Sequence, residues 1–123
     1  MVDPAEATPL LQAFVSEMPE VQGAILLTPD GLPLTTALPE GMDAERVAAM
    51  AAAILSLGQR IGRDLSVGGI DRILVHGDQG IGVLTSCTKD TLVLTLANAE
   101  AKQGLLFVEI GRLIRTIQAM AGE

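Results

Sequence analysis

Apolar residues first recur along the chain at helical spacing. Leu10, Leu11, Phe14, Val15 and Met18 lie three and four apart, one stripe that predicts a first helix. Thr8 suits the cap and Pro9 the first helical position. Pro19 ends the helix, because the residue before a proline avoids helical backbone. A start on Asp3-Pro4-Ala5-Glu6 also looks like a cap, but it would leave Pro9 inside the helix, so the later start is preferred. The pattern then shortens to strand-length runs, Val21 to Thr28 and Leu32 to Ala37, joined by Pro29-Asp30-Gly31. Proline presets φ, aspartate bonds the local backbone and glycine takes the left-handed position, so these runs predict a hairpin.

Leu38 to Met42 reads as a loop, and Asp43 as the cap of a second helix running to about Leu65. One stripe of this helix carries Val47, Met50, Ile54, Leu57, Ile61 and Leu65. The opposite side carries Ala49, Ala53, Ser56, Arg60 and Asp64 and is not richly charged, so the helix is expected to face something on more than one side. Gly68-Gly69 interrupts the chain before three strands, Ile70 to His76, Ile81 to Cys87 and Thr91 to Ala97. Their connections, Gly77-Asp78-Gln79-Gly80 and Thr88-Lys89-Asp90, are too short for anything but antiparallel neighbours. A last helix, with Asn98 as its expected cap, buries Leu106, Ile110, Leu113, Ile114, Ile117 and Met120.

The expected fold is therefore α/β of the α+β kind. It is one five-stranded antiparallel sheet with helices on both faces, in the order αββαβββα. Length fits a single domain over residues 1–123, with a core from about 8 to 121. A chain of this size buries roughly two thirds of its unfolded surface, enough for a core without staples.

Composition narrows the functional classes. Hydrophobic residues reach 49%, which implies a rich core with a sticky surface beside it. Phe14 and Phe107 are the only aromatics, so bases have little to stack on, and a net charge of −7 disfavours phosphate backbones and anionic membranes. Nucleic acid is thus not an expected partner, and neither is membrane insertion: the apolar run Val47 to Leu57 is too short to span a bilayer. Met1 to Glu6 has neither basic flank nor apolar core, so it does not read as a signal peptide. The single cysteine, Cys87, makes an internal disulfide or a thiolate cluster impossible and fits a cytoplasmic location.

Candidate chemistry is thin. His76 and Asp78 share a strand end, but two ligands do not make a metal site, and a solvent-facing histidine is the simpler reading. Cys87 and Ser86 lack the turn that presents a nucleophile. Gly77, Gly80 and Gly82 sit in a hairpin with no helix N-terminus or lysine to receive phosphate. The carboxylates Glu17, Glu20, Asp43 and Glu45 read as solvated. No enzyme and no cofactor is expected. The feature that asks for an explanation is the second helix, whose alanines and Gly58-x-x-x-Gly62 let another backbone approach. It packs either on its own sheet or, the favoured reading, on the same helix of a second copy.

Val21-x-Gly23-Ala24-x-Leu26-Leu27-x-x-Asp30-Gly31-Leu32-Pro33-Leu34 resembles the opening hairpin of the Roadblock/dynein light chain family. The Ala-rich Val47 to Leu57, Leu74-Val75 with Gly80, and Gly104-Leu105-Leu106 match later features of that family, most closely its bacterial MglB-like members. The resemblance implies a profilin-like fold and a homodimer joined through the central helix and the third strand. It also implies a small Ras-like GTPase as partner, bound on the face of the paired helices, with GTP hydrolysis accelerated by some members. Carried to this chain, it puts the dimer seam on Met50, Ala51, Ile54, Leu57, Gly58 and Ile61, with Ile73 and Val75 on the edge strand. Partner contacts would fall on Arg46, Ala49, Ala53, Ser56 and Arg60. The alternatives are a small-molecule sensor of similar layout, which would need convergent polar groups and aromatics, and a small hydrolase, for which no nucleophile and base assemble.

Overall fold

A computed structural model describes residues 2–122. Three helices, α1 (Pro4–Glu17), α2 (Ala44–Asp64) and α3 (Gln103–Met120), accompany five strands: β1 (Val21–Leu27), β2 (Pro33–Ala37), β3 (Arg72–His76), β4 (Gly80–Thr88) and β5 (Thr91–Asn98). Their order along the chain is the expected αββαβββα. The strands form one sheet in the spatial order β2-β1-β5-β4-β3, antiparallel throughout.

Side chains alternate across the central strands, and both sets are apolar. Ala24, Leu26, Val83, Val93 and Ala97 face α1 and α3, where they meet Leu11, Phe14, Leu106, Ile110 and Ile117. Ile25, Leu27, Leu84 and Leu92 face the other way and pack on Val47, Ala48, Ala51 and Leu55 of α2. A sheet apolar on both sides must be covered on both sides, which fixes the three-layer arrangement.

The β1–β2 turn follows its expected chemistry. Gly31 has φ of +92°, the Thr28 hydroxyl bonds the Asp30 carboxylate, and the Leu32 N–H donates to Thr28 Oγ1 at 3.0 Å. Asp43 caps α2, accepting the Glu45 N–H at 3.0 Å.

Two helix starts differ from expectation. Asp3, rather than Thr8, caps α1, accepting the Ala5 N–H at 3.0 Å, with Pro4 at the first helical position and Pro9 inside the helix. Starting there sends Val2 and Ala7 into the core, and this burial offsets the bond that Pro9 cannot donate. The Thr8 hydroxyl bonds back to the Pro4 carbonyl at 2.8 Å and pairs with Thr35 on β2. Asn98, the expected cap of α3, instead ends β5 and closes a turn by accepting the Glu100 N–H; the N-cap position of α3 is Lys102, and the helix begins at Gln103.

The glycine pair of α2 serves its own sheet. A Cβ on Gly62 would lie 2.2 Å from the Gly68 carbonyl oxygen, and one on Gly58 would lie 2.6 Å from Ile73 Cδ1. The Gly62 carbonyl in turn accepts the N–H groups of Val67 and Gly68. These glycines therefore bring the chain's own α2–β3 connection and β3 close to the helix, not a second copy. Gly62→Ala is expected to destabilise the fold by about 1–3 kcal/mol through this overlap. Gly104 lies in the first turn of α3, where a Cβ would meet nothing within 4 Å, and gives the opposite sign: Gly104→Ala should stabilise by up to about 1 kcal/mol. Thermal melts of the two variants check both signs.

Candidate functional site

The two ends of α2 rest on different parts of the sheet. Near its start, Ala49 and Ala52 lie against Gly31 at the β1–β2 turn; near its end, Gly58 and Gly62 lie against Ile73 and Ile70 at the start of β3. The helix thus crosses the sheet obliquely and leaves part of β3, β4 and β5 uncovered. The result is a groove of about 540 Å³, walled by Met50, Ile54 and Val47 of α2 and floored by Val75, Gly82, Leu94 and Leu96. Asp43 and Arg46 are the charged groups that line it.

Along the same flank, apolar side chains stand in water. Met50 and Leu57 are each 57% exposed, Ile61 44%, and Val75 on β3 55%. Beyond the helix, Leu65 and Val67 are exposed further still, at 69% and 65%. Fully burying one such side chain contributes about 1.5–3 kcal/mol, so this row is a large unused driving force for association. β3 is also an edge strand, and among the described residues no further strand pairs with its outer side.

The residues expected in a seam divide accordingly. Met50, Leu57, Ile61 and Val75 are exposed, while Ile54 and Ile73 are half-buried beside them. Ala51 is buried beneath the helix, and Gly58 turns toward Ile73, so neither is presented to a neighbour. Arg46, Ala49, Ala53, Ser56 and Arg60 are exposed, and Arg60 pairs with Asp64 at 3.5 Å, a solvated pair of little energetic consequence. Sequence reading missed Val67, Leu94 and Leu96. Val67 lies in a glycine-flanked connection that reads as loop, and the two leucines sit in a strand whose pattern implies full burial.

The groups screened for chemistry remain apart. His76 Nδ1 is 3.4 Å from Gln103 Nε2, at the protein surface. Among the described residues, no cluster of three or more His, Cys, Asp or Glu side chains is placed to hold a metal ion. No helix among the described residues is long and apolar enough to cross a membrane. Cys87 is buried against α3, and desolvation pushes its thiol up to about 12. Below pH 9 the thiol is neutral in both folded and unfolded chains. Between about 9 and 12 the unfolded chain releases the proton and the folded chain keeps it, so stability falls as pH rises through that window. The chain has no tyrosine to titrate there. Denaturant titrations at pH 8 and 10.5 should show this loss, and Cys87→Ala should reduce it.

A sequence model of the Roadblock/LC7 domain matches residues 8–97. The uncharacterized protein MJ0714 of Methanocaldococcus jannaschii is 29% identical over 100 residues, covering 81% of this chain and 84% of that protein. A Roadblock/LC7 domain from Streptomyces avermitilis superposes with a TM-score of 0.85 at 25% identity, over 94% of this chain and 98% of that one. MglB of Myxococcus xanthus superposes with a TM-score of 0.89 over 98% of this chain and 90% of its own, but at 9% identity, a likeness of fold alone. The fold is profilin-like, the layout extending to a profilin of Acanthamoeba castellanii at a TM-score of 0.61 and 12% identity, over 94% of this chain and 98% of that one. With the domain model spanning most of its length and the whole architecture shared, this chain belongs to the Roadblock/LC7 domain family.

Proposed function

We propose that this protein is a homodimeric regulator or scaffold that binds a small Ras-like GTPase in the cytoplasm, without a catalytic site of its own. The observation that carries the first half is the apolar flank of α2 beside the open edge of β3. An isolated copy leaves both in water, and a self-complementary pairing removes both at once. Membership of the Roadblock/LC7 family and the fold shared with MglB support the second half. In that reading, the outward side of α2, with Arg46, Ala49, Ala53, Ser56 and Arg60, meets the GTPase, where small side chains permit close approach and arginines reach anionic groups.

Light scattering at micromolar concentration should return twice the chain mass. Leu57→Glu and Ile61→Glu, both at exposed positions, should each leave the fold intact and weaken the dimer at least about tenfold. A wild-type monomer would overturn the proposal. Pull-down against GDP-loaded and GTP-loaded small GTPases tests the partner. If the protein accelerates hydrolysis by supplying an arginine, Arg46→Ala or Arg60→Ala should lower the stimulated rate at least about tenfold. An unchanged rate removes the arginine role and leaves either rearrangement of the GTPase's own residues or scaffolding.

The groove favours a second reading, a small-molecule sensor, because its volume falls in the range of ligand pockets. Its lining is nearly all aliphatic, with two charged groups at the start of α2 and no aromatic. A ligand retained through purification and detected by mass spectrometry would support that reading.

A further inference from the structure

A second groove lies between the end of α1 and the start of α3, with a volume of about 360 Å³. Phe14, Met18 and Leu105 give it an apolar lining. Leu105 is 53% exposed, and Val108, three residues further along α3 and on the same side, is 51% exposed. The helices α1 and α3 cover the sheet face that α2 does not, so this surface is separate from the α2 flank.

Its charge is one-sided. Glu17 and Glu20 line it from the α1 side and Glu109 from α3, and no lysine or arginine is among the described residues that line it. Glu17 closes α1, whose last turn holds no basic side chain. The carbonyl end of a helix is its negative end, where a carboxylate is repelled and a cation is held. Glu17, and Glu20 just beyond it, therefore stand where they work against their own helix. Neither makes an ion pair among the described residues. Glu109 pairs with Arg112 at 3.3 Å, but the Arg112 side chain is 68% exposed, and a solvated contact of this kind yields easily.

We infer that this groove docks a cationic amphipathic helix of a partner protein. An apolar side chain of the partner enters over Phe14 and Leu105, and lysines or arginines beside it meet Glu17, Glu20 and Glu109. Charge decides among the occupants. Nucleic acid and anionic lipid are repelled. A second copy of this chain, with its net charge of −7, is repelled as well. A bound metal ion is disfavoured, because the three carboxylates are not gathered into a cluster that could hold one. A helix sets apolar and basic groups three and four residues apart, which matches an apolar strip with carboxylates on both sides. The incoming cations also neutralise the end of α1, so binding relieves a repulsion present in the free protein. Because the groove and the α2 flank lie on opposite faces of the sheet, this segment docks while α2 is engaged elsewhere.

The probe is a fluorescent synthetic helix of leucine and lysine, about 15 residues long, titrated into the full chain. It should bind saturably and shift most the backbone amide resonances of residues 14–20 and 103–109. Glu17→Gln combined with Glu20→Gln, and separately Leu105→Ser, should each raise the Kd at least about tenfold, while Leu57→Ser on α2 leaves it unchanged. The double glutamine variant should melt no lower than the wild type, since it removes carboxylates from the negative end of α1. A lower melting temperature would assign the two glutamates to the fold and overturn the proposal. So would a probe that does not bind, shifts centred on α2, a wild-type Kd in the double variant, or equal binding of the same helix with glutamate in place of lysine.

Discussion

The approach of α2 to the sheet through small residues is the constraint on which the rest depends. Where Gly58 and Gly62 meet Ile73 and the Gly68 carbonyl, the helix has no side chain to hold it off, and its end is drawn down onto the β3 edge. At its start, Ala48 and Ala51 let it settle on Ile25, Leu27 and Leu92. A slim helix held at both ends over different strands lies obliquely, and an oblique helix cannot cover a five-stranded sheet. The groove, the exposed flank and the open edge are consequences of one packing decision.

The two faces of the sheet show what that decision leaves out. On the α1 and α3 side, two helices close the core, and long residues such as Leu11, Leu106 and Ile117 are removed from water entirely. On the α2 side a single helix serves the same area, and Met50, Leu57, Ile61 and Val75 remain exposed. An asymmetric covering of a symmetrically apolar sheet leaves an apolar face open on one side, the kind of surface that marks an interaction site. The same asymmetry explains why candidate chemistry is sparse: Cys87, the group with the most intrinsic reactivity, lies on the well-covered side, where desolvation keeps it protonated.

Much of the fold was legible in the sequence because local rules and tertiary packing agree. Pro29-Asp30-Gly31 makes its turn, Asp43 makes its cap, and the short connections after β3 and β4 enforce antiparallel pairing. The two helix starts that differ are places where local rules compete. Both Asp3 and Thr8 can cap, and burial of Val2 and Ala7 decided between them. Asn98 can cap a helix or close a turn, and the length of β5, whose end pairs with Gly80, settled it as the latter.

The candidate site was legible only in part, for a physical reason. Periodicity finds an apolar stripe but not the direction it faces. The sequence by itself determined the elements, their order, the apolar character of both sheet faces and the excess of apolar surface on α2. Only the tertiary structure decided that Gly58 and Gly62 face inward, that Ala51 is enclosed, and that Leu57, Ile61, Leu65 and Val67 stand in water. Spacing along a helix fixes which residues share a side; the angle at which the helix crosses its sheet fixes which side is covered, and that angle comes from contacts between residues distant in the chain.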